Sequence, residues 1–172
     1  MTTVSVATEI AAPLEEVFAV FTDFEHNAGR VSHIRKIELL TVRGSGLGAR
    51  WLETRVVLGR EDTAEMAITA YEQNRTYTIT HHKAGARIDT VFTFTPIGDL
   101  TTARVEFHVQ SDGLPPGTMV PVRWAIADKV RAVIARDLAD LKAFIEGRSQ
   151  DAAAIAYAGV APLTEEDDTE GG

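Results

Sequence analysis

Glu53, Tyr77 and His81 are the side chains of this 172-residue chain that join acid/base chemistry to a place on a patterned strand. A carboxylate, a phenol and an imidazole can each move a proton or orient a ligand by hydrogen bonding. His81 and His82 are adjacent in a run of strand character, so their side chains point to opposite faces and cannot easily grip one metal ion. Alternation turns His81 inward with Tyr77 and Ile79 and leaves His82 to water. An inward histidine can serve as a general base or as a donor to a ligand. The plainer alternative is a histidine at the rim of a sheet, bonded to backbone or water.

Glu53 belongs to a second patterned run, Trp51-Leu52-Glu53-Thr54-Arg55-Val56. Trp51, Glu53 and Arg55 share one strand face; Leu52, Val56 and Leu58 share the other. Simple alternation sends the leucine face inward. A bulge near Gly59 would reverse the register, and Trp51 is costly to leave in water. If Trp51 turns inward, a buried Glu53–Arg55 pair beside it anchors a ligand head group. If it turns outward, the pair is a surface ion pair of little worth.

Other chemistries lack their residues. The chain has no cysteine, which removes disulfides, thiolate nucleophiles and cysteine metal sites. His26, His33 and His108 make no helical pair with a carboxylate or another histidine at the spacing of a zinc protease, and no metal site is expected. No serine stands in a nucleophile elbow. Gly44, Gly46 and Gly48 alternate as in a phosphate-binding loop, but a strand follows them where a phosphate cradle needs a helix N-terminus.

Charge narrows the partners. The net charge is −8, but residues 148–172 hold six acids (Asp151, Glu165, Glu166, Asp167, Asp168, Glu170) against Arg148 alone. The first 147 residues carry 19 acids and 16 bases. A body so near neutrality offers no basic face for nucleic acid. No apolar run approaches the roughly 20 residues needed to span a bilayer, and residues 1–12 lack the pattern of a signal peptide. These features predict a cytoplasmic protein without membrane insertion and without nucleic-acid partners. A homodimer stays open.

The elements that must position the candidates are legible in the periodicity. Val4, Val6 and Ile10 mark a first strand that ends at Pro13. Leu14, Val17, Phe18 and Phe21 make a short amphipathic helix with Glu15 and Glu16 at its positive end. A turn and a second short helix follow over 23–33, then strands over 34–42 and 49–58. Four alternating runs come next. Ala64, Met66, Ile68 and Ala70 form the first inner face; Tyr77, Ile79 and His81 the second; Ile88, Thr90, Phe92 and Phe94 the third; Ala103, Val105, Phe107 and Val109 the fourth. Turns are expected near 72–74, 83–85 and 97–99. Ile126, Val130, Val133, Ile134, Leu138, Leu141 and Ile145 then recur at helical spacing in a long helix from about Pro121 to Glu146, with Gly147 as its stop. Trp124 lies off that stripe, near the helix start.

This is an α+β chain: an antiparallel sheet of about seven strands, two short helices after the first strand, and a long final helix. The order resembles the helix-grip fold, and the sequence resembles the START-like (SRPBCC) superfamily in its polyketide cyclase/dehydrase and lipid-transport branch. The residues that carry the resemblance are Ala11-Ala12-Pro13-Leu14-Glu15-Glu16-Val17-Phe18, Asp23-Phe24-Glu25, Ile34-Arg35-Lys36-Ile37-Glu38-Leu39-Leu40, Gly48-Ala49-Arg50-Trp51-Leu52-Glu53 and Gly59-Arg60-Glu61. The chain departs from the pattern at 26–31, where relatives often carry a tryptophan or a proline-rich turn. The resemblance implies a helix-grip domain over 1–147, and the acidic composition of 148–172 predicts a loosely held tail. It also implies a hydrophobic cavity between sheet and long helix, but no single chemistry.

The expected function is binding of a small hydrophobic ligand, lipid or polyketide-like, in that cavity, without a cofactor. Trp51, Glu53, Met66, Tyr77, His81, Thr90, Phe92, Phe107, Ile126 and Val130 are the expected lining. Two alternatives stand beside it. One is an enzyme of cyclase or aromatase type that uses His81, Tyr77 or Glu53 as acid or base. The other is a protein-interaction module of chaperone-activator type. The pattern favours binding over catalysis.

Overall fold

The computed structural model describes residues 2–57, 59–111 and 120–158, with side chains described over 3–57, 59–110 and 127–152. Strand β1 (Thr2–Ile10) leads into helix α1 (Leu14–Phe21) and a 3-10 helix (Phe24–Gly29). Six strands follow: β2 (Ile34–Leu39), β3 (Arg50–Val57), β4 (Arg60–Glu72), β5 (Thr76–Lys83), β6 (Ala86–Ile97) and β7 (Leu100–Ser111). Helix α2 (Val120–Ala158) completes the fold. The seven strands form one antiparallel sheet in the order β1-β7-β6-β5-β4-β3-β2. No described helix is long and apolar enough to cross a membrane.

Local chemistry explains the elements. Pro13 precedes α1 with an extended backbone, and Glu15 and Glu16 sit in the first turn, where the helix dipole favours negative charge. Val17, Phe18, Val20 and Phe21 bury its inner face. The hairpin turns fall where expected. Asn74, Ala84, Gly85 and Gly98 adopt the left-handed backbone conformation that reverses a strand tightly.

Helix α2 lies across the concave face of the sheet. Ile134, Leu138, Leu141 and Ile145 form its buried stripe. Polar clips fix it on two sides. Lys142 Nζ donates to the Glu9 carbonyl at 2.7 Å, and the Ala11 amide donates to Glu146 Oε1 at 3.0 Å. On the other side the amide and hydroxyl of Ser32 both donate to Asp140 Oδ2, at 2.8 and 2.7 Å.

Two expectations are corrected, and a third question, left open by the sequence, is decided. Gly147 does not stop α2, which runs on to Ala158. One glycine costs a helix only about 1 kcal/mol relative to alanine, and the residues after it, from Arg148 to Ala154, are mostly good helix formers. Helical structure therefore occupies the start of the segment read as a tail; residues 159–172 lie outside the described residues. Second, Ala70 does not share the face of Ala64, Met66 and Ile68. The β4–β5 register shifts between Ile68 and Ala70, with Thr69 as the extra residue. This bulge turns Ala70 outward and Tyr71 inward, opposite Tyr77. Third, the inner face of β3 is Trp51, Glu53 and Arg55, without any bulge at Gly59. The β3–β4 register runs unbroken to Val57 opposite Arg60, and Gly59 makes the turn with φ of 77°. Burial of the indole decides the parity. Trp51 is fully buried and stacks on Phe24, ring centroids 4.4 Å apart.

Candidate functional site

Parallel rows of inward side chains cross the concave face, and they differ in how dry they are. One row runs Tyr71, Tyr77, Phe92, Val105 and Val6. Around it Phe18 meets Tyr71, Tyr77 and Phe94 edge-on at 5.6, 6.0 and 5.3 Å, and Tyr77 stacks on Phe92 at 4.6 Å. This is the closed end, packed between the sheet and α1. The next row holds Ile68, Ile79, Thr90, Phe107 and Val4. A further row holds Trp51, Met66, His81, Ile88 and Val109. In these two rows Ile79, Thr90, Phe107, His81, Ile88 and Val109 are only half-buried, although all face the concave side; Val130 of α2 is half-buried as well. Among the described residues, burial on the inner face is therefore complete around α1 and only partial in these two rows.

A polar cluster lies at the border between the two. Glu53, 6% exposed, accepts a hydrogen bond from the Trp51 indole at 3.1 Å through Oε2, and Arg55 Nε donates to its Oε1. The same guanidinium donates through Nη1 to Asp137 Oδ2 of α2 at 2.5 Å. His33 Nδ1 stands 3.4 Å from the other Asp137 oxygen. A carboxylate–guanidinium–carboxylate chain thus ties β3 to α2, with an imidazole at its end. Burial works against the Arg55 charge, but Glu53 and Asp137 outweigh it and hold its pKa above the ordinary value. Burial raises the Asp137 carboxyl, with Arg55 and His33 partly offsetting it.

His81 is on β5, two strands further into the sheet. Its Nδ1 is buried and has no hydrogen-bond partner. Burial pushes its imidazole below the usual histidine value; Glu53 opposes this and Lys83 and Arg55 add to it. His81 is therefore uncharged at neutral pH. Small Ala64, opposite Glu53 on β4, separates the polar side chains. Lys83 is itself engaged by Asp62. The Tyr77 hydroxyl donates to the Phe21 carbonyl at 3.4 Å, and burial, then Tyr71 and Glu53, pushes its pKa well up. The phenol stays protonated and is no base.

Of the expected lining residues, Trp51, Glu53, Met66, Tyr77, His81, Thr90, Phe92 and Phe107 all lie on the inner face. They divide by role. Trp51 and Tyr77 are almost fully buried in the aromatic core, whereas His81, Thr90 and Phe107 border the open end. Val130 faces the core from α2. The side chain of Ile126, like that of Trp124, lies outside the described residues. Sequence reasoning missed Asp137 as a partner of Arg55 and His33 as a partner of Asp137. Asp137 carried a signal: it adjoins Leu138 and lies between Ile134 and Leu141, on the edge of the apolar stripe, where an acid must find a cation.

The family model for "polyketide cyclase / dehydrase and lipid transport" matches residues 1–146. No curated protein matches the chain in sequence. Solved structures share the fold. TTHA0849 from Thermus thermophilus superimposes with a TM-score of 0.71 at 15% identity, over 86% of this chain and 99% of that one. The Zhui aromatase/cyclase from Streptomyces sp. R1128 gives 0.68 at 17% identity, over 86% and 95%. A START superfamily protein from Mycobacterium smegmatis gives 0.65 at 20% identity, over 84% and 97%. Helix-grip architecture, an inward-facing sheet under a long helix and a family match over residues 1–146 agree: the chain belongs to the polyketide cyclase/dehydrase and lipid-transport family.

Proposed function

We propose that this chain binds a small, mostly apolar molecule between the concave face of the sheet and α2. The observation that carries the reading is the gradient of burial along the inner face. Ile79, Ile88, Phe107 and Val109 lie on the inner face of the sheet yet keep part of their surface accessible. A ligand lying there would remove that surface from water, which supplies most of the affinity for an apolar molecule. The aromatic end around Phe18 and Tyr77 is the floor against which it stops. His81 orients its polar end.

Titration with Nile red, a neutral apolar dye, tests the proposal. Enhanced, saturable fluorescence is expected, together with quenching by exposure-matched substitutions such as Ile88→Asp on the open row. Absence of saturable binding, or binding untouched by Ile88→Asp, overturns it.

One observation supports a second reading, in which the same space catalyses cyclisation or dehydration of a poly-ketone chain. An uncharged imidazole with an unpartnered buried nitrogen lies two strands from a carboxylate and a guanidinium whose charges act on it. Such a base can take a proton from a methylene between two carbonyls and return it to the oxygen that the new bond leaves charged. Of the three acid/base candidates His81 alone keeps this capacity, because Tyr77 stays protonated and both Glu53 oxygens already accept hydrogen bonds.

A further inference from the structure

We infer that the loop between β2 and β3 docks this protein on the surface of an anionic lipid bilayer. Large aliphatic side chains stand in water there. Val42 is fully exposed, Leu47 is 71% exposed and Leu40 is 47% exposed. Single exposed aliphatics are ordinary, but several on one short loop mark an interaction surface. Hydrogen bonds hold the loop in shape. The Leu40 amide donates to the Arg50 carbonyl at 2.9 Å, and the Gly48 amide to the Ile68 carbonyl at 3.0 Å. Thr41 Oγ1 accepts from the Arg50 amide at 3.0 Å and donates to the Arg43 carbonyl at 2.8 Å. Successive hairpins alternate between the two ends of the sheet, so the β6–β7 turn shares an end with this loop. Ile97 and Leu100 flank that turn, and both are exposed. Among the described residues, five of the six exposed large aliphatics therefore gather at the end packed by α1. That surface lies away from the half-buried rows of the inner face.

Charge selects the occupant. From Leu39 to Leu52 the chain carries Arg43 and Arg50 and no acid. Arg50 pairs with Glu65, whereas Arg43 has no acidic partner among the described residues. The acids that flank the loop are engaged as well, Glu38 by Lys36 and Glu53 by Arg55. The unbalanced charge at the tip is therefore positive, and it adjoins Val42. An aliphatic tip with a cation beside it matches the boundary of a bilayer: the side chains enter the acyl region while the guanidinium stays among phosphates. The tip is a protruding knob, and a fluid bilayer accepts a knob without a preformed pocket. The net charge of −8 opposes this only weakly, because salt screens each charge beyond about 8 Å at physiological ionic strength. Docking of this kind is peripheral and needs no spanning helix.

Flotation of the full chain with lipid vesicles at physiological ionic strength tests the inference. One set of vesicles is pure phosphatidylcholine; the other mixes it in equal parts with phosphatidylglycerol. The bound fraction is expected to be about threefold or more higher on the anionic vesicles. Val42→Asp and Leu47→Asp should each lower it about threefold or more while leaving Tm unchanged, because both side chains are exposed. Arg43→Gln should remove the preference for anionic vesicles and keep the weaker binding to phosphatidylcholine. Val57→Asp, at the other end of the sheet, should change neither. Nile red binding should persist in all four variants. Absence of flotation with either vesicle, or flotation untouched in folded Val42→Asp and Leu47→Asp proteins, overturns the inference. So does a dimer in light scattering that Val42→Asp dissolves while vesicles capture nothing, which assigns the loop to a second copy of the chain.

Discussion

Arg55→Met is the most informative single perturbation, because it separates a buried anchor from a surface ion pair. The Arg55 side chain is 24% exposed, Glu53 7% and Asp137 18%, so solvent screens the three charges only in part. Methionine keeps the length and removes the charge. Two carboxylates then face each other, Glu53 holding only the Trp51 indole and Asp137 only His33. Stranding a buried charge costs about 3–5 kcal/mol. The retained donors argue for the lower end, about 3 kcal/mol at pH 7. In a protein of this size that is a fall of roughly 6–12 °C in Tm. The deficit also has a sign in pH. Without the guanidinium, burial holds the folded-state pKa of Asp137 above its unfolded value with less to offset it. Such groups add stability below the unfolded pKa and lose it as pH rises through the folded one. The variant should therefore recover part of its deficit between pH 7 and pH 5. Urea unfolding of both proteins at the two pH values measures it. A loss under about 1 kcal/mol at pH 7, the range of exposed pairs, or a deficit indifferent to pH, would refute the account of this cluster.

His81→Ala should slow turnover of a poly-ketone substrate a hundredfold or more if the catalytic reading holds; retained turnover removes the imidazole from the chemistry. Phe18→Ala should cost about 3–5 kcal/mol in chemical denaturation, because Phe18 touches Tyr71, Tyr77 and Phe94 at the closed end. A loss under about 1 kcal/mol would mean that end is not packed as described.

The fold was legible because its signals are local and repeated. Inner residues such as Ile88, Thr90, Phe92 and Phe94 recur every second position, and Ile134, Leu138, Leu141 and Ile145 recur at helical spacing. What stayed hidden depends on contacts distant in sequence. The parity of β3 could not be read from β3, since both faces carry large apolar groups; Phe24, stacking on Trp51, settles it. The bulge at Thr69 is equally silent: nothing in Ile68-Thr69-Ala70-Tyr71 announces that Thr69 will bond to Thr80 and turn Tyr71 inward. Asp137 and His33 lie 82 and 22 positions from Arg55 in the chain. An acid on the edge of a helical stripe calls for a cation, but only the folded sheet says which one.

These hidden features meet at one place, and that is why the site is polar where a core would be dry. The bulge brings Tyr71 into the aromatic floor, which fills the closed end and leaves the rows of Ile79 and His81 short of partners. The inward parity of β3 then delivers Glu53 and Arg55 beside those rows. Two charges on an inner face would be costly without a counter-charge from above, and α2 supplies it through Asp137. The ion chain therefore does two things at once. It holds the helix over the sheet at the border of the packed end, and it sets one guanidinium between two carboxylates on the inner face. Both follow from the same three side chains, so a substitution that frees Arg55 from Asp137 should loosen the helix over the sheet.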